Sequence, residues 1–207
     1  MRPRGVPSAG ALLSLAREPA LGRMSVLVGC RIPKDFFVTS GVGESDITIH
    51  AGSFHLALRE ANIEHLNVMK YSSILPAIAR HVPFNPRTIP HGSVLETITA
   101  EKSVQKGERA TAAIIWGWLI DRETKERFGG LVCEYSDTGT EEEARTSLRA
   151  SLQELYENGY EEQYILDEEN IQFHSRTITP AKNFGTALVT LGFVNYEVPV
   201  LRGIEDT

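Results

Sequence analysis

Ser72 and Ser73 stand side by side in Tyr71-Ser72-Ser73-Ile74-Leu75-Pro76, directly after a stretch that patterns as a strand. Fourteen serines in 207 residues predict roughly one Ser-Ser pair by chance, so the dipeptide alone carries no information. Its setting carries more, because the backbone must turn sharply toward Pro76, and strained backbone at such a place can be functional. Glu134 is the second candidate, inside Leu131-Val132-Cys133-Glu134-Tyr135. A carboxyl among apolar neighbours has its pKa raised by desolvation and can serve as a general acid near neutral pH. In an alternating strand the same residue could equally face solvent. Gly41-Val42-Gly43 lacks the third glycine of a dinucleotide fingerprint, since position 46 is Asp, and no Walker lysine follows; a backbone-turn role is expected. Six histidines (50, 55, 65, 81, 91 and 174) form no ligand motif. His50 and His55 are five residues apart, about 500° around a helix, so they point roughly 140° away from each other and cannot share an ion. No metal site is expected.

The elements that must position these groups follow from periodicity and punctuation. Residues 25–30 and 36–39 are β-rich, and residues 40–46 read as a glycine-rich loop. Residues 50–62 place Phe54, Leu58 and Ala61 on one helical face, and an alternating stretch, 63–71, reads as a strand. Residues 72–90, broken by four prolines, read as irregular. Strands are expected over 94–100, 110–121 and 128–135, the second apolar enough to be buried on both faces. Thr140-Glu141-Glu142-Glu143 is a capping box opening a helix that ends near Gly159, with Ala144, Leu148, Leu152, Leu155 and Tyr156 in one stripe. The acidic stretch 161–169 reads as solvated loop, and strands are expected again over 172–178 and 187–196. Strands with two helices and no βαβ rhythm give an α+β fold with a largely antiparallel sheet.

Composition sets outer limits. The chain carries 21 Lys and Arg against 27 Asp and Glu, a formal charge of −6, with 42 % apolar residues. That balance disfavours nucleic acid as main partner, and no apolar run reaches the roughly 20 residues of a membrane span. Cys30 and Cys133 are too far apart in sequence for a metal knuckle or a disulfide framework. Residues 1–23 hold Arg2, Arg4, Arg17 and Arg23 against Glu18, a net +3 that leaves −9 on the rest. They are read as a flexible extension, or as sequence before a true start at Met24, with a targeting segment as the alternative. Residues 24–207 are read as one domain of an acidic, soluble, cytoplasmic protein.

Five segments together resemble the pyruvoyl-dependent arginine decarboxylases: Leu66-Asn67-Val68-Met69-Lys70-Tyr71-Ser72-Ser73-Ile74-Leu75-Pro76, His91-Gly92-Ser93-Val94-Leu95, Gly129-Gly130-Leu131-Val132-Cys133-Glu134-Tyr135, Phe184-Gly185-Thr186-Ala187-Leu188 and Leu191-Gly192-Phe193-Val194-Asn195. The resemblance implies a four-layer αββα sandwich assembled as a homotrimer or a dimer of trimers, with active sites between neighbouring subunits. It implies self-cleavage between Ser72 and Ser73, the Ser73 hydroxyl attacking the Ser72 carbonyl and residue 73 becoming a pyruvoyl group. That covalent cofactor would form an imine with an amino-acid substrate and act as electron sink as CO2 leaves. Glu134 would return the proton, and Asn67 would assist cleavage, its amide holding the oxyanion at the Ser72 carbonyl. The reaction implied is L-arginine to agmatine and CO2, in polyamine synthesis or acid consumption.

One position departs from the pattern. Where the family carries an Asp facing the substrate guanidinium, ungapped counting places His55, and a neutral imidazole lacks the charge of a carboxylate. Either a one-turn shift or another acid (Glu44, Asp46 or Glu60) then takes the role, or the substrate is not arginine. A third reading, an unprocessed binding subunit, is opposed by the presence of Asn67, Ser73 and Glu134 together.

Overall fold

A computed structural model describes residues 28–201. The expected extension over residues 1–23, the Met24 start and residues 25–27 of the expected strand 25–30 lie outside the described residues; of residues 28–30 only Val28 makes a β-bridge. Residues Cys30–Val198 form one compact unit. Outside that unit, the described residues 28–29 and 199–201 include an antiparallel bridge between Val28 and Val200.

In chain order the elements are β1 (Ile32–Pro33), β2 (Asp35–Ser45), α1 (His55–Glu60), β3 (Asn67–Lys70), β4 (Ile74–Pro76), β5 (Arg80–His81), β6 (Val94–Gln105), β7 (Ala110–Asp121), β8 (Arg127–Asp137), α2 (Glu141–Gly159), β9 (Tyr164–Leu166), β10 (Gln172–Ile178), β11 (Phe184–Phe193) and β12 (Tyr196–Glu197). One sheet runs β3-β6-β11-β2-β5 and the other β10-β7-β8-β4, with β9 also on β7; β1 and β12 form a separate pair. Pairing is antiparallel except for β3 with β6 and β2 with β5.

The alternation along β7 explains the layering. Ala112, Ile114 and Trp116 face inward with Val132 of β8 and meet Ile98, Ala100, Val189 and Leu191 of the other sheet. Ala113, Ile115 and Leu119 face the other way and meet Ala144, Leu148 and Leu152 of α2. On the far side, Ala57 and Ala61 of the α1 segment pack with Phe37, Leu95 and Leu188. The result is the αββα sandwich, in which a strand buried on both faces must be apolar at nearly every position. The expected capping box is present: Thr140 Oγ1 accepts from the Glu143 amide at 3.2 Å, and the Glu143 carboxylate accepts from the Thr140 amide at 2.7 Å.

Four expectations are corrected. Residues 40–45 are not a loop but the second half of β2, and the glycines there serve close packing: a Cβ on Gly41 would lie 2.1 Å from the Ala57 carbonyl oxygen, and one on Gly43 would lie 2.1 Å from that of Ser53. The expected helix 50–62 is shorter and begins with a wide π-type turn, Ile49–Phe54, before α1. Residues 72–90 contain two short strands, and 161–169 contain β9. Those strands are too short to show a period, and Pro76 is tolerated in an edge strand that needs no donor there.

Candidate active site

The two sheets share a corner, and Ser72-Ser73 is where the chain crosses it. β3 is the edge strand of one sheet and β4 the edge strand of the other, and only Tyr71, Ser72 and Ser73 join them. Tyr71 still donates its amide to Thr97 of the first sheet at 2.6 Å, whereas the Ser73 carbonyl accepts from Val132 of the second at 3.0 Å. Between them the Ile74 amide donates to the Ser72 carbonyl at 3.0 Å, closing a three-residue turn centred on Ser73. The expected sharp turn is therefore present, and Ser73 does not have a positive φ.

Glu134 reaches Ser73 from β8. It shares the inward-facing parity of Val132, and its cross-strand partner is Ile114, so its carboxyl stands at the rim of the apolar layer between the sheets. Ser73 Oγ lies 2.9 Å and 2.8 Å from the two carboxylate oxygens, close enough for its one proton to be donated to either. Desolvation pushes the Glu134 pKa up, and the Ser73 hydroxyl, which favours the ionised form, opposes it. The residue is solvent-accessible along much of its surface yet carries a desolvated carboxyl. Neighbouring Cys133 faces α2 instead; burial pushes its thiol up to about 11, which leaves it protonated and unreactive.

The remaining expected residues lie elsewhere on the same chain. Asn67 opens β3, five residues before Ser72, about 16 Å away at the rise of an extended strand. Its amide donates to the Gly92 carbonyl at 2.7 Å. An oxyanion role at the Ser72 carbonyl of its own chain is therefore not what this geometry provides, and the Ile74 amide occupies that place. Glu44 accepts from the amides of Ala181 and Lys182 at 3.2 Å and 3.3 Å, and Asp46 accepts from that of Asn183 at 3.3 Å. Both acids hold the β10–β11 turn; Glu44 is level with Val104 in the ladder, whereas Lys70 is level with Thr97, and seven residues of strand make that separation about 23 Å. His55 is exposed at the start of α1, on the outer layer. Glu60 accepts from the Val42 amide at 3.0 Å and is ion-paired with Arg176.

A serine hydroxyl on a carboxylate, at a polarised peptide bond in a sheet crossover, is the arrangement a self-modifying peptide bond needs. Among known proteins, the family model "Pyruvoyl-dependent arginine decarboxylase (PvlArgDC)" matches residues 35–198. The chain belongs to the pyruvoyl-dependent arginine decarboxylase family. It is 32 % identical over 191 residues to the pyruvoyl-dependent arginine decarboxylase AaxB of Chlamydia muridarum, covering 82 % of this chain and 94 % of the relative. The AaxB of Chlamydia pneumoniae is 30 % identical over 187 residues, with the same coverage. A pyruvoyl-dependent arginine decarboxylase of Methanococcus aeolicus is 32 % identical over 132 residues, 63 % of this chain and 73 % of the relative. Membership implies a pyruvoyl cofactor and an amino-acid substrate. Among the described residues no group of His, Cys, Asp and Glu is arranged to hold a metal ion, and no helix is long and apolar enough to cross a membrane.

Proposed function

We propose that this protein is a self-processing decarboxylase that converts L-arginine to agmatine and CO2, its pyruvoyl group arising from Ser73. The observation that carries the proposal is the contact of Ser73 Oγ with both Glu134 oxygens beside a Ser72 carbonyl that already accepts the Ile74 amide. Residue 73 must bear a β-hydroxyl, and the residues around it suit the group it would become: a carboxyl within reach and an amide on the adjoining carbonyl. Glu134 holds the Ser73 hydroxyl, and the Ile74 amide stabilises charge developing on the Ser72 carbonyl oxygen as Oγ adds to its carbon. The C–N bond breaks to leave an ester. Loss of the Ser73 α-proton with cleavage of the Cβ–Oγ bond then frees a Ser72 carboxylate. Hydrolysis of the resulting dehydroalanine releases ammonia. The products are chains of 72 and 135 residues.

When present, the pyruvoyl group supplies a ketone that captures the substrate amine and accepts the electrons released with CO2. Glu134 then returns a proton to the substrate carbon, a task that suits a carboxyl whose pKa is raised by desolvation. The surrounding Leu75, Val132 and Ile114 exclude water from the inner side of the site. The guanidinium needs a partner that this corner of the chain does not hold, since Glu44, Asp46, His55 and Asn67 all lie on the other sheet or its helix. That separation supports a site completed by a neighbouring copy in a homotrimer or a dimer of trimers.

Intact-mass analysis of the purified protein incubated with arginine tests the proposal. Two chains, the larger opening with a pyruvoyl group, and release of CO2 are expected. Ser73→Ala should remain one full-length chain with no turnover. A wild-type chain that stays whole and releases no CO2 overturns the proposal. Lysine, ornithine or histidine as a better substrate than arginine overturns the choice of arginine, the outcome that His55 would favour.

A further inference from the structure

A second concave site lies away from Ser73. A cleft of about 460 Å³ opens beside β5, β7 and residues 167–172, lined by His81, Trp116, Trp118, Ile120, Arg127 and Gln172 among others. Such a volume is in the range that admits a small metabolite. In the ladder Trp118 pairs with Gly130 and Gly130 with Leu75, so β7 stands two strands, about 10 Å, from the β4 edge that carries the Ser73 turn.

The charge state of the cleft is unusual. Arg80 is neutralised by Asp35, to which its Nε and Nη2 donate at 2.9 Å and 2.8 Å. Asp167 accepts from Asn170 at 2.8 Å. Arg127 is different. Its guanidinium carbon stands 4.2 Å from the centre of the Trp118 ring, and its Nε donates to the Ala77 carbonyl at 2.8 Å. Among the described residues no carboxylate is within ion-pair distance, and neither Nη makes a hydrogen bond. A half-buried guanidinium tied down by one nitrogen and stacked on an aromatic face is pre-organised, with its two free nitrogens left for a planar acceptor. The floor beside it is flat and apolar, Trp116, Trp118 and Ile120, with His81 and Gln172 as further polar groups at the wall. Desolvation lowers the His81 pKa, which disfavours a second cation at this wall.

We propose that this cleft binds a small carboxylate carrying a flat apolar body: the two Nη groups of Arg127 take the carboxylate and the Trp118 side of the floor takes the body. The site is independent of the Ser73 chemistry.

The test uses the full chain and the fact that it holds two tryptophans, both lining this cleft. Intrinsic fluorescence and calorimetry are recorded with benzoate, acetate, benzamide and inorganic phosphate as probes. Benzoate should give a saturable response below about 10 mM, with acetate weaker for lack of a body and benzamide silent for lack of charge. Arg127→Gln should weaken benzoate binding roughly tenfold or more, as loss of a charge-assisted pair does. Arg127→Lys keeps the charge but loses the fork, so it should also bind more weakly; it answers the question if the glutamine variant does not fold. The proposal is overturned by a benzoate response that stays linear or survives both substitutions. It is equally overturned if benzamide or phosphate binds as tightly as benzoate.

Discussion

Replacing Glu134 with Gln separates the two tasks assigned to this carboxyl. The amide has the same size, and its Oε1 can still accept from Ser73 Oγ, which now lies 2.8–2.9 Å from the two carboxylate oxygens. The nucleophile stays oriented, so E134Q should still cut between Ser72 and Ser73, more slowly. The amide has no proton to give, however. A positioned general acid contributes about 10²- to 10⁴-fold, or roughly 3–5 kcal/mol of barrier, and CO2 release per processed chain should fall by that factor. The pH profile adds a second signature. Desolvation raises the Glu134 pKa above its ordinary 4.5, and the Ser73 hydroxyl is the largest influence pulling it back. Once residue 73 has lost its hydroxyl, that opposition is gone and the carboxyl is more easily protonated. Wild-type turnover should therefore decline as pH rises through the raised pKa, and the decline should be missing in E134Q. Stability carries the same sign. A carboxyl whose folded pKa exceeds its unfolded value stabilises the fold only while protonated, and that contribution is lost as pH rises through the folded pKa. Hence E134Q should gain stability over wild type at neutral pH and not at acidic pH. The assay is intact mass for the cleaved fraction and CO2 release normalised to it. Turnover within threefold of wild type per processed chain refutes the acid role, and an E134Q chain that never cuts refutes the orienting role of the hydrogen bond.

Further outcomes follow from the packing. Thr140→Ala removes the capping box of α2 and should cost about 1 kcal/mol, a fall in melting temperature of roughly 2–4 °C by calorimetry for a chain this size. The Thr140 amide and hydroxyl hold the Glu143 pKa down, so the difference between variant and wild type should shrink as pH falls through that lowered pKa. Gly43→Ala would bring a Cβ to 2.1 Å from the Ser53 carbonyl and 2.6 Å from the Ala57 amide nitrogen, both backbone atoms; denaturant unfolding should show a loss of about 3 kcal/mol or more. Gly159→Ala, with open space around its Cβ, should stay within about 1 kcal/mol of wild type in the same experiment.

The elements that could be read from the sequence are those whose period has one cause. β7 spans 110–121 as expected because burial on both faces demands an unbroken apolar run, and α2 begins at its capping box because that motif is local. β2 was obscured because Gly41 and Gly43 answer to a helix backbone lying across them rather than to a turn, and no local pattern reveals a neighbour ten or more residues away. β4 and β5 are three and two residues long, shorter than any detectable alternation. In the site, the pairing of Ser73 with Glu134 joins positions 61 residues apart, a contact made by sheet pairing that composition and spacing do not encode. The family motifs carried both residues without supplying their geometry. The same motifs did not show that Asn67 is engaged with Gly92, or that Glu44 and Asp46 brace the β10–β11 turn. The Arg127–Trp118 cleft left no trace at all, since a tryptophan on an apolar strand reads only as core.

The position of the proposed cut explains how a domain can survive it. Ser72-Ser73 joins the edge of one sheet to the edge of the other, so breaking that bond removes no strand from either ladder. The shorter fragment would keep β2, and β2 lies between β11 and β5, both of which belong to the longer fragment. Its pairing with β11 runs over ten residues, from Phe36 with Phe193 to Ser45 with Phe184. β3 remains paired with β6, and α1 stays pressed on β2 through the two glycines. Phe36 and Phe37 of the shorter fragment are buried in the layers on opposite sides of the sheet. Separation of the fragments would expose both layers, so the cut frees one end of the Ser73 turn while the packing that holds Glu134 over it is untouched. A bond placed inside either ladder could not be broken at so small a loss of structure.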